Sequence, residues 1–251
     1  MTGFHPLPLR RFDRLDSTNA EALRLAAAGE KGPLWIRADV QAEGRGRQGR
    51  TWVSDQGNLF ATLLLPTEAD MAIIPQLGFV AAVAVHDALT NLDLHGLSLK
   101  WPNDVLLEGA KVCGILAEVA ATSPVTVALG IGVNVAHAPE AMPYPVTSLC
   151  AHGITATADP VFEKLSASLG MWLKIWGEGR GFPSVRLAWL ERCFGLNSPV
   201  TAHGPDGPLS GTFRDLGKDG ALMLETPDRK RHAIHSGEVR FASMSAAGIL
   251  A

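Results

Sequence analysis

The sequence predicts an α+β domain, a mixed β-sheet with helices, followed by a small β-barrel. Three observations carry this. Up to about residue 196, helix-forming stretches alternate with short strand-like apolar runs. After Gly195-Leu196-Asn197-Ser198-Pro199 the texture changes to brief alternating runs separated by glycine or proline. Finally, 47% of the 251 residues are apolar, ample for a large core with a smaller unit appended. The expected division is 1–196 for the first domain and 197–251 for the second.

Taken in order, residues 19–28 (NAEALRLAAA) are rich in helix formers. Thr18 and Glu21 stand at capping-box spacing, and Gly29 ends the segment. Residues 34–41 and 58–65 read as strands entering and leaving a polar loop. Residues 76–90 form a long, alanine-rich apolar helix, buried on most sides. Short strands are expected at 97–101, 104–107, 111–119 and 125–131, split by turn signals at Pro102-Asn103 and Glu108-Gly109. Helices follow near 160–176 and 184–194, and Trp172 and Trp176, four apart, share a face. Within 199–241 the runs PVTA, LSGTF, ALMLE and HAIHSGEVRF supply the strands of the small barrel.

Composition narrows the function. The net charge is −3 and the pI about 6.2, so a bulk nucleic-acid binder is disfavoured and any basic feature is local. No apolar run approaches the roughly 18 residues of a membrane span, and the N-terminus MTGFHPLPLRRFDR lacks the apolar stretch of a signal peptide. Cys113, Cys150 and Cys193 are far apart and form no zinc spacing, which fits reduced, mostly buried thiols in the cytoplasm. His232 and His235 read as strand or surface residues, not as a metal site.

The local feature is EGRGRQGRTW, residues 43–52. Arg45, Arg47 and Arg50 alternate with Gly44, Gly46 and Gly49, and Trp52 closes the run. A guanidinium is always charged and its donor fork matches phosphate or carboxylate. Glycine allows close approach of the backbone to an anion. The run is no P-loop, and its GxGxxG spacing is a weak dinucleotide match because a strand resumes within nine residues. A solvated basic hairpin and a single-stranded RNA contact are the alternatives for this loop alone. Three further clusters stand out: Asp16-Ser17-Thr18-Asn19, Lys100-Trp101-Pro102-Asn103-Asp104 with Lys111 seven residues on, and Gly130-Ile131-Gly132-Val133-Asn134. Each alone reads as a helix cap, a turn or a solvated lysine. Four together, in this order, exceed what caps and turns explain.

The four clusters resemble the catalytic domain of the biotin protein ligases. That family shows Ser-Thr-Asn (here 17–19), Q-x-x-G-R-G-R-x-G-R-x-W (Gln41 to Trp52), K-W-P-N-D (100–104), K-x-x-G-I-L (111–116) and G-x-G-x-N (130–134). The β-rich tail resembles the family's small SH3-like C-terminal domain. The resemblance implies the biotin/lipoate ligase catalytic fold, related to class II aminoacyl-tRNA synthetases. It implies ATP-dependent biotinylation of a lysine on a biotin carboxyl carrier domain, through biotinyl-5′-AMP. A lipoate or octanoate ligase of related fold is the nearest rival, and a non-catalytic nucleotide- or RNA-binding module a more distant one. Gln48 stands where a further arginine is common. Ser17 comes too early in the chain to leave room for the N-terminal DNA-binding domain of some members, so no DNA partner is expected. A homodimer stays open.

The resemblance also distributes roles. Ser17, Thr18, Asn19, Gln41, Arg45, Gly46, Arg47, Lys111 and Gly114 would meet biotin. Arg47, Arg50, Trp52, Lys100, Asn103 and Asn134 would serve the nucleotide, with Trp52 stacking on adenine. Arg45, Arg47, Lys111 and Asp104 would be catalytic, Asp104 orienting the carrier lysine or accepting its proton. Mg²⁺ would accompany ATP, with ligands not identifiable from the sequence.

Overall fold

The computed structural model, which describes residues 7–204 and 207–241, has two sheets and four α-helices among those residues. Parts of the expectations for the N-terminus (1–6) and for the second domain (242–251) lie outside the described residues. The chain runs β1 (Leu9–Leu15), α1 (Thr18–Ala27), β2 (Leu34–Gln41), β3 (Leu59–Pro66), α2 (Gln76–Thr90), β4 (Leu97–Lys100), β5 (Asp104–Leu107), β6 (Ala110–Thr122) and β7 (Val125–Val133). It continues through α3 (Ala158–Trp176), α4 (Phe182–Glu191), β8 (Pro199–Gly204), β9 (Gly207–Leu216), β10 (Leu222–Glu225), β11 (Arg231–Ile234) and β12 (Glu238–Phe241). Strands β1–β7 form one mixed sheet in the order β1-β2-β3-β7-β6-β5-β4, parallel only between β1 and β2. Strands β8–β12 form a second, antiparallel sheet in the order β11-β10-β9-β8-β12.

The mixed sheet with helices, followed by a small five-stranded unit, is the fold class expected from sequence. Three details differ. Strand β1 was not expected, because LRRFDRL is mostly exposed and polar; its conformation comes from parallel pairing to β2 at the sheet edge. Helix α1 is capped one residue earlier than the capping-box spacing predicts: Ser17 Oγ accepts from Ala20 N, and Glu21 pairs with Arg24 instead of reaching back. Helix α4 starts at Phe182 because Pro183 suits a first turn, where its missing N–H costs nothing.

Side-chain alternation sorts the large sheet into two faces. Odd-numbered residues of β3 and β7, among them Leu59, Ala61, Leu63, Val127, Leu129 and Ile131, pack against α2 and α3 in the main core. Even-numbered Leu64 and Ala128 face the other way, joining Leu34, Ile36 and Ala22 under α1. A single ten-residue helix cannot cover that face, so the residues beyond α1 line an open cleft. Trp172 and Trp176 do share a face: both are buried, their indole N–H groups donating to Asp87 and Gln76 at 2.8 Å.

The second sheet is anchored on the same core. Trp101, 2% exposed, donates its indole N–H to the Gly220 carbonyl at 3.0 Å, and Gly220 sits close against Phe79. Arg186 on α4 donates to the Leu216 carbonyl at 2.7 Å. Phe194 stacks edge-on against Phe241 of β12.

Candidate active site

The cleft on the α1 face has about 1100 Å³ of empty space, counted out to its open mouth. Its floor is made of even-numbered strand residues: Phe60 on β3, Gly130 and Gly132 on β7, Gly114 and Leu116 on β6. The glycines are there for space. A Cβ at Gly132 would lie 2.6 Å from Trp52 Nε1, one at Gly114 2.8 Å from Trp52 Cζ3, and one at Gly130 would collide with Asn19 Oδ1. The G-x-G segment is therefore not a turn. It lies inside β7, where two missing side chains admit Asn19 from one direction and Trp52 from another.

The arginine run folds as a hairpin laid over this cleft. Arg45 bridges to Thr51, Gly46 N donates to Arg50 O at 2.7 Å, and Trp52 N to Gly44 O at 2.9 Å. The tip turns through left-handed Gln48 and Gly49, with φ of 56° and 72°. Gly44 is buried against Trp52 O and Ser54 Oγ, so its lack of a side chain serves the hairpin's own closure. Arg47 reaches furthest in, donating to Asn103 Oδ1 at 3.1 Å; burial lowers its pKa, opposed by Asp104 and assisted by Arg50. Arg45 and Arg50 remain exposed, and Arg50 lies 3.8 Å from Glu238 of β12.

Opposite the hairpin, Lys100-Trp101-Pro102-Asn103-Asp104 divides its side chains. Trp101 holds the second sheet, while Lys100, Asn103 and Asp104 face the cleft. Burial lowers the pKa of Lys100, with Lys111 and Arg50 adding to the effect and Asp104 and Glu238 opposing it. Asn103 Nδ2 donates to Ile115 O at 2.6 Å, which fixes its amide so that Oδ1 meets Arg47. Lys111 reaches the cleft through a register shift between Val105 and Leu106: Asp104 pairs with Gly114, yet Leu106 pairs with Lys111. Directly paired residues share a face, so this bulge places Lys111 and Gly114, three apart, on the same side. Lys111 Nζ then lies 2.7 Å from Asp104 Oδ1, and 5.4 and 5.7 Å from the rings of Trp52 and Tyr144.

The inner end of the cleft is lined by neutral side chains and tightly hydrogen-bonded. Gln41 Oε1 accepts from Thr18 N at 2.8 Å and lies 3.1 Å from Thr18 Oγ1, while Gln41 Nε2 donates to Ser54 Oγ at 2.8 Å. Asn19 Nδ2 donates to Glu118 Oε2 at 2.7 Å and to Leu116 O at 3.3 Å. Thr62 Oγ1, fully buried on β3, lies 2.8 Å from Thr18 Oγ1 and 2.7 Å from Asn19 Oδ1.

Of the residues singled out from sequence, Ser17, Thr18, Asn19, Gln41, Arg45, Gly46, Arg47, Arg50, Trp52, Lys100, Asn103, Asp104, Lys111 and Gly114 all line this one cleft. Asn134 does not. It is 2% exposed, donates to Thr147 O at 3.0 Å, and borders a separate small cavity with Trp52, Lys111 and Tyr144. Its Oδ1 is buried without a partner among the described residues. Thr62, Glu118, Ser54, Tyr144 and Glu238 belong to the site or its support but carried no motif. Thr62 and Glu118 are ordinary strand positions, and Glu238 arrives from the second sheet.

Known proteins share this chain's family and fold. The model described as "Biotin/lipoate A/B protein ligase family" matches residues 11–135, and "Biotin protein ligase C terminal domain" matches 195–241. The chain is 41% identical over 238 residues to the biotin–[acetyl-CoA-carboxylase] ligase of Paracoccus denitrificans, covering 91% of this chain and 98% of that one. It is 33% identical to the Mycobacterium tuberculosis enzyme of the same name, covering 85% of this chain and 81% of that one. Its fold superposes on the biotin protein ligase of Aquifex aeolicus in complex with biotin and ATP, with a TM-score of 0.80 and 27% identity, over 94% of this chain and 99% of that one.

Proposed function

The chain belongs to the biotin/lipoate A/B protein ligase family, and from that premise we propose that it is a biotin protein ligase. It activates biotin with ATP and transfers it to a lysine on the biotin carboxyl carrier domain of a carboxylase. In the first step a biotin carboxylate oxygen attacks the α-phosphorus of ATP. A P–O bond forms, the bond to the β-phosphate oxygen breaks, and pyrophosphate leaves. In the second step the neutral lysine amine attacks the acyl carbon of biotinyl-5′-AMP, AMP leaves, and the amine gives up its proton.

The observation that carries this reading is the cleft's division of labour. One end presents neutral hydrogen-bonding groups around Thr18 and Gln41. The other holds Arg45, Arg47, Arg50, Lys100 and Lys111 against, among the described residues, two lining carboxylates, Asp104 and Glu238. The two reactants of the first step are both anions, whose approach in a low-dielectric cleft is costly unless cations are already in place. On this reading Arg45, Gly46, Arg47 and Lys111 meet the carboxylate and α-phosphate, and Arg50, Lys100 and Asn103 meet the nucleotide phosphates. Trp52, seated on Gly114 and Gly132, offers a face to the adenine. Ser17, Thr18, Asn19 and Gln41 form the end that receives the ureido ring, Asn19 acting from within because its amide is spent on protein partners. Asp104 serves the second step, where an amine of ordinary pKa near ~10.4 must attack neutral. Asn134, behind Trp52 and Lys111, supports the nucleotide side from its own small cavity.

Magnesium would enter with ATP. Among the described residues no group of three or more His, Cys, Asp or Glu is placed to hold a metal ion. The oxygens of Asp104 and Glu238 suit a hard cation that takes one or two carboxylates and draws its other ligands from phosphates and water. When bound, the ion would neutralise phosphate charge. Residues 1–196 and 197–251 act in this reading as a catalytic domain and a small C-terminal domain. Cytoplasmic placement is part of it and is supported by the three free thiols.

The decisive measurement is ATP–pyrophosphate exchange with biotin, lipoate or octanoate as the acid. Biotin alone should support rapid exchange, because a polar end built around Thr18 and Gln41 has nothing to pair with in an alkyl chain or dithiolane. Exchange with lipoate equal to that with biotin would overturn the assignment.

A further inference from the structure

We propose that Trp101 is a positioning residue through which the second sheet sets the geometry of the Lys100–Asp104 hairpin. This deepens the reading above and rests on Lys100, Asn103 and Asp104 serving the nucleotide and the incoming lysine.

The hairpin is short and lies at the edge of the large sheet. Strands β4 and β5 have four residues each, β4 ends the strand order, and Lys100 pairs with Asp104 across the turn. Side chains at both ends of that turn tie it down. On the β6 side, Asn103 Nδ2 donates to Ile115 O at 2.6 Å, and Ile115 N donates to Asn103 O at 3.1 Å. On the other side, Trp101 Nε1 donates to Gly220 O at 3.0 Å. The first tie stays within the large sheet. The second leaves it for the turn between β9 and β10.

That turn is a fixed acceptor. Gly220 has a φ of +89°, and a Cβ there would lie 2.6 Å from Phe79 Cε2, so glycine alone lets the backbone sit against the ring. Phe79, on α2, is itself met edge-on by Phe182 and Trp189 of α4, at centroid distances of 5.9 and 5.6 Å. Gly217 N donates to Ala221 O at 2.7 Å across the turn, and Arg186 Nε to Leu216 O at 2.7 Å at its base. The Gly220 carbonyl therefore stays where α2 and α4 put it. The buried Trp101 indole is drawn to it, because a buried N–H without an acceptor is costly. Such a partner is not automatic: Trp35, equally buried, has an indole N–H with none among the described residues. Displacing the indole displaces the backbone next to Lys100 and at the start of the turn that ends on Asp104, which lies 2.7 Å from Lys111 Nζ. A shift of ~1 Å at reacting groups is enough to slow chemistry.

The test uses the full chain and measures kcat, KM for biotin and KM for ATP in pyrophosphate exchange, together with transfer from preformed biotinyl-AMP. In Trp101→Phe, kcat for exchange and the rate of transfer should both fall roughly ten- to hundredfold. KM for ATP should rise, while KM for biotin stays unchanged, because the Thr18–Gln41 end is held by its own hydrogen bonds. Gly220→Ala, which pushes the turn off Phe79, should reproduce this pattern from the other side of the bond. The two losses should not add in the double variant, since either change already breaks the contact. Arg186→Gln loosens the base of the same turn from a half-buried position. It should show the pattern more weakly, and it carries the test if the buried substitutions fail to fold. Unchanged kcat in the folded variants, or losses that add, overturns the proposal. So does a biotin KM that rises in step with the other constants, which would make Trp101 merely structural. Wild-type exchange that does not depend on biotin would overturn the functional reading itself.

Discussion

Lys111 Nζ lies 2.7 Å from Asp104 Oδ1, with both side chains largely shielded from water. The two groups given separate roles, one for each half-reaction, are paired with each other. A lysine already charged and aimed by a carboxylate is preorganised to meet a second anion, which is where electrostatic catalysis gains most.

Lys111→Ala should therefore lose adenylation far more than stability. Removing one charge-assisted hydrogen bond, roughly 1.5 to 3 kcal/mol, corresponds to about one to two decades in rate. Single-turnover formation of biotinyl-AMP, set beside a denaturant melt, checks this. Unchanged adenylation would return Lys111 to the role of a solvated cation.

Asp104→Asn keeps a hydrogen-bond acceptor for Lys111 but removes the charge. Transfer from preformed biotinyl-AMP to the carrier should slow more than adenylate formation. Equal slowing of both steps would mean that Asp104 acts mainly through Lys111 or holds the turn.

Arg47 ties the hairpin to the opposite wall through Asn103 Oδ1 at 3.1 Å. Arg47→Gly removes that tie and a cation facing the mixed anhydride, and adds backbone freedom. Contact losses act mostly on dissociation, so biotinyl-AMP should leave much faster while biotin binds somewhat more weakly. Released adenylate would acylate bystander lysines, raising their labelling relative to the carrier. Adenylate retention equal to wild type would refute this.

Asp16 offers a pH signature in stability. Hydrogen bonds from Arg24 to both carboxylate oxygens, at 2.7 and 2.8 Å, and from Ser17 N hold its pKa at about 2, below the ordinary 3.8, against the opposing effect of burial. A depressed folded-state value contributes stability above the unfolded pKa and loses it as pH falls through the folded one. The stability gap between wild type and Asp16→Asn should be constant near neutrality, begin to close below about pH 3.8 and vanish near about 2. Partial exposure of the pair keeps it modest. A gap that does not change with pH would rule out the ion pair as its source.

By itself the sequence determined the family and nearly all of the cleft. Arginine alternating with glycine, KWPND and K-x-x-G-I-L are chemical choices that few other functions need, and they stay recognisable without coordinates. Helices α2 and α3 and strands β2, β3 and β7 were legible for a simpler reason: long apolar periodicity is a local property. Strand β1 was not, since its paired residues on β2 lie 26 positions further along the chain and its own residues are mostly polar. Only the tertiary structure decided that a bulge brings Lys111 beside Gly114, and that Gly130 and Gly132 are spaces for Asn19 and Trp52 and not turn residues. It also decided that Thr62 and Glu118 hydrogen-bond to Asn19 beside the cleft, and that Asn134 stands behind it. These depend on register and on which strands become neighbours, and a one-residue shift in pairing sends a side chain to the opposite face, a fact no local pattern records.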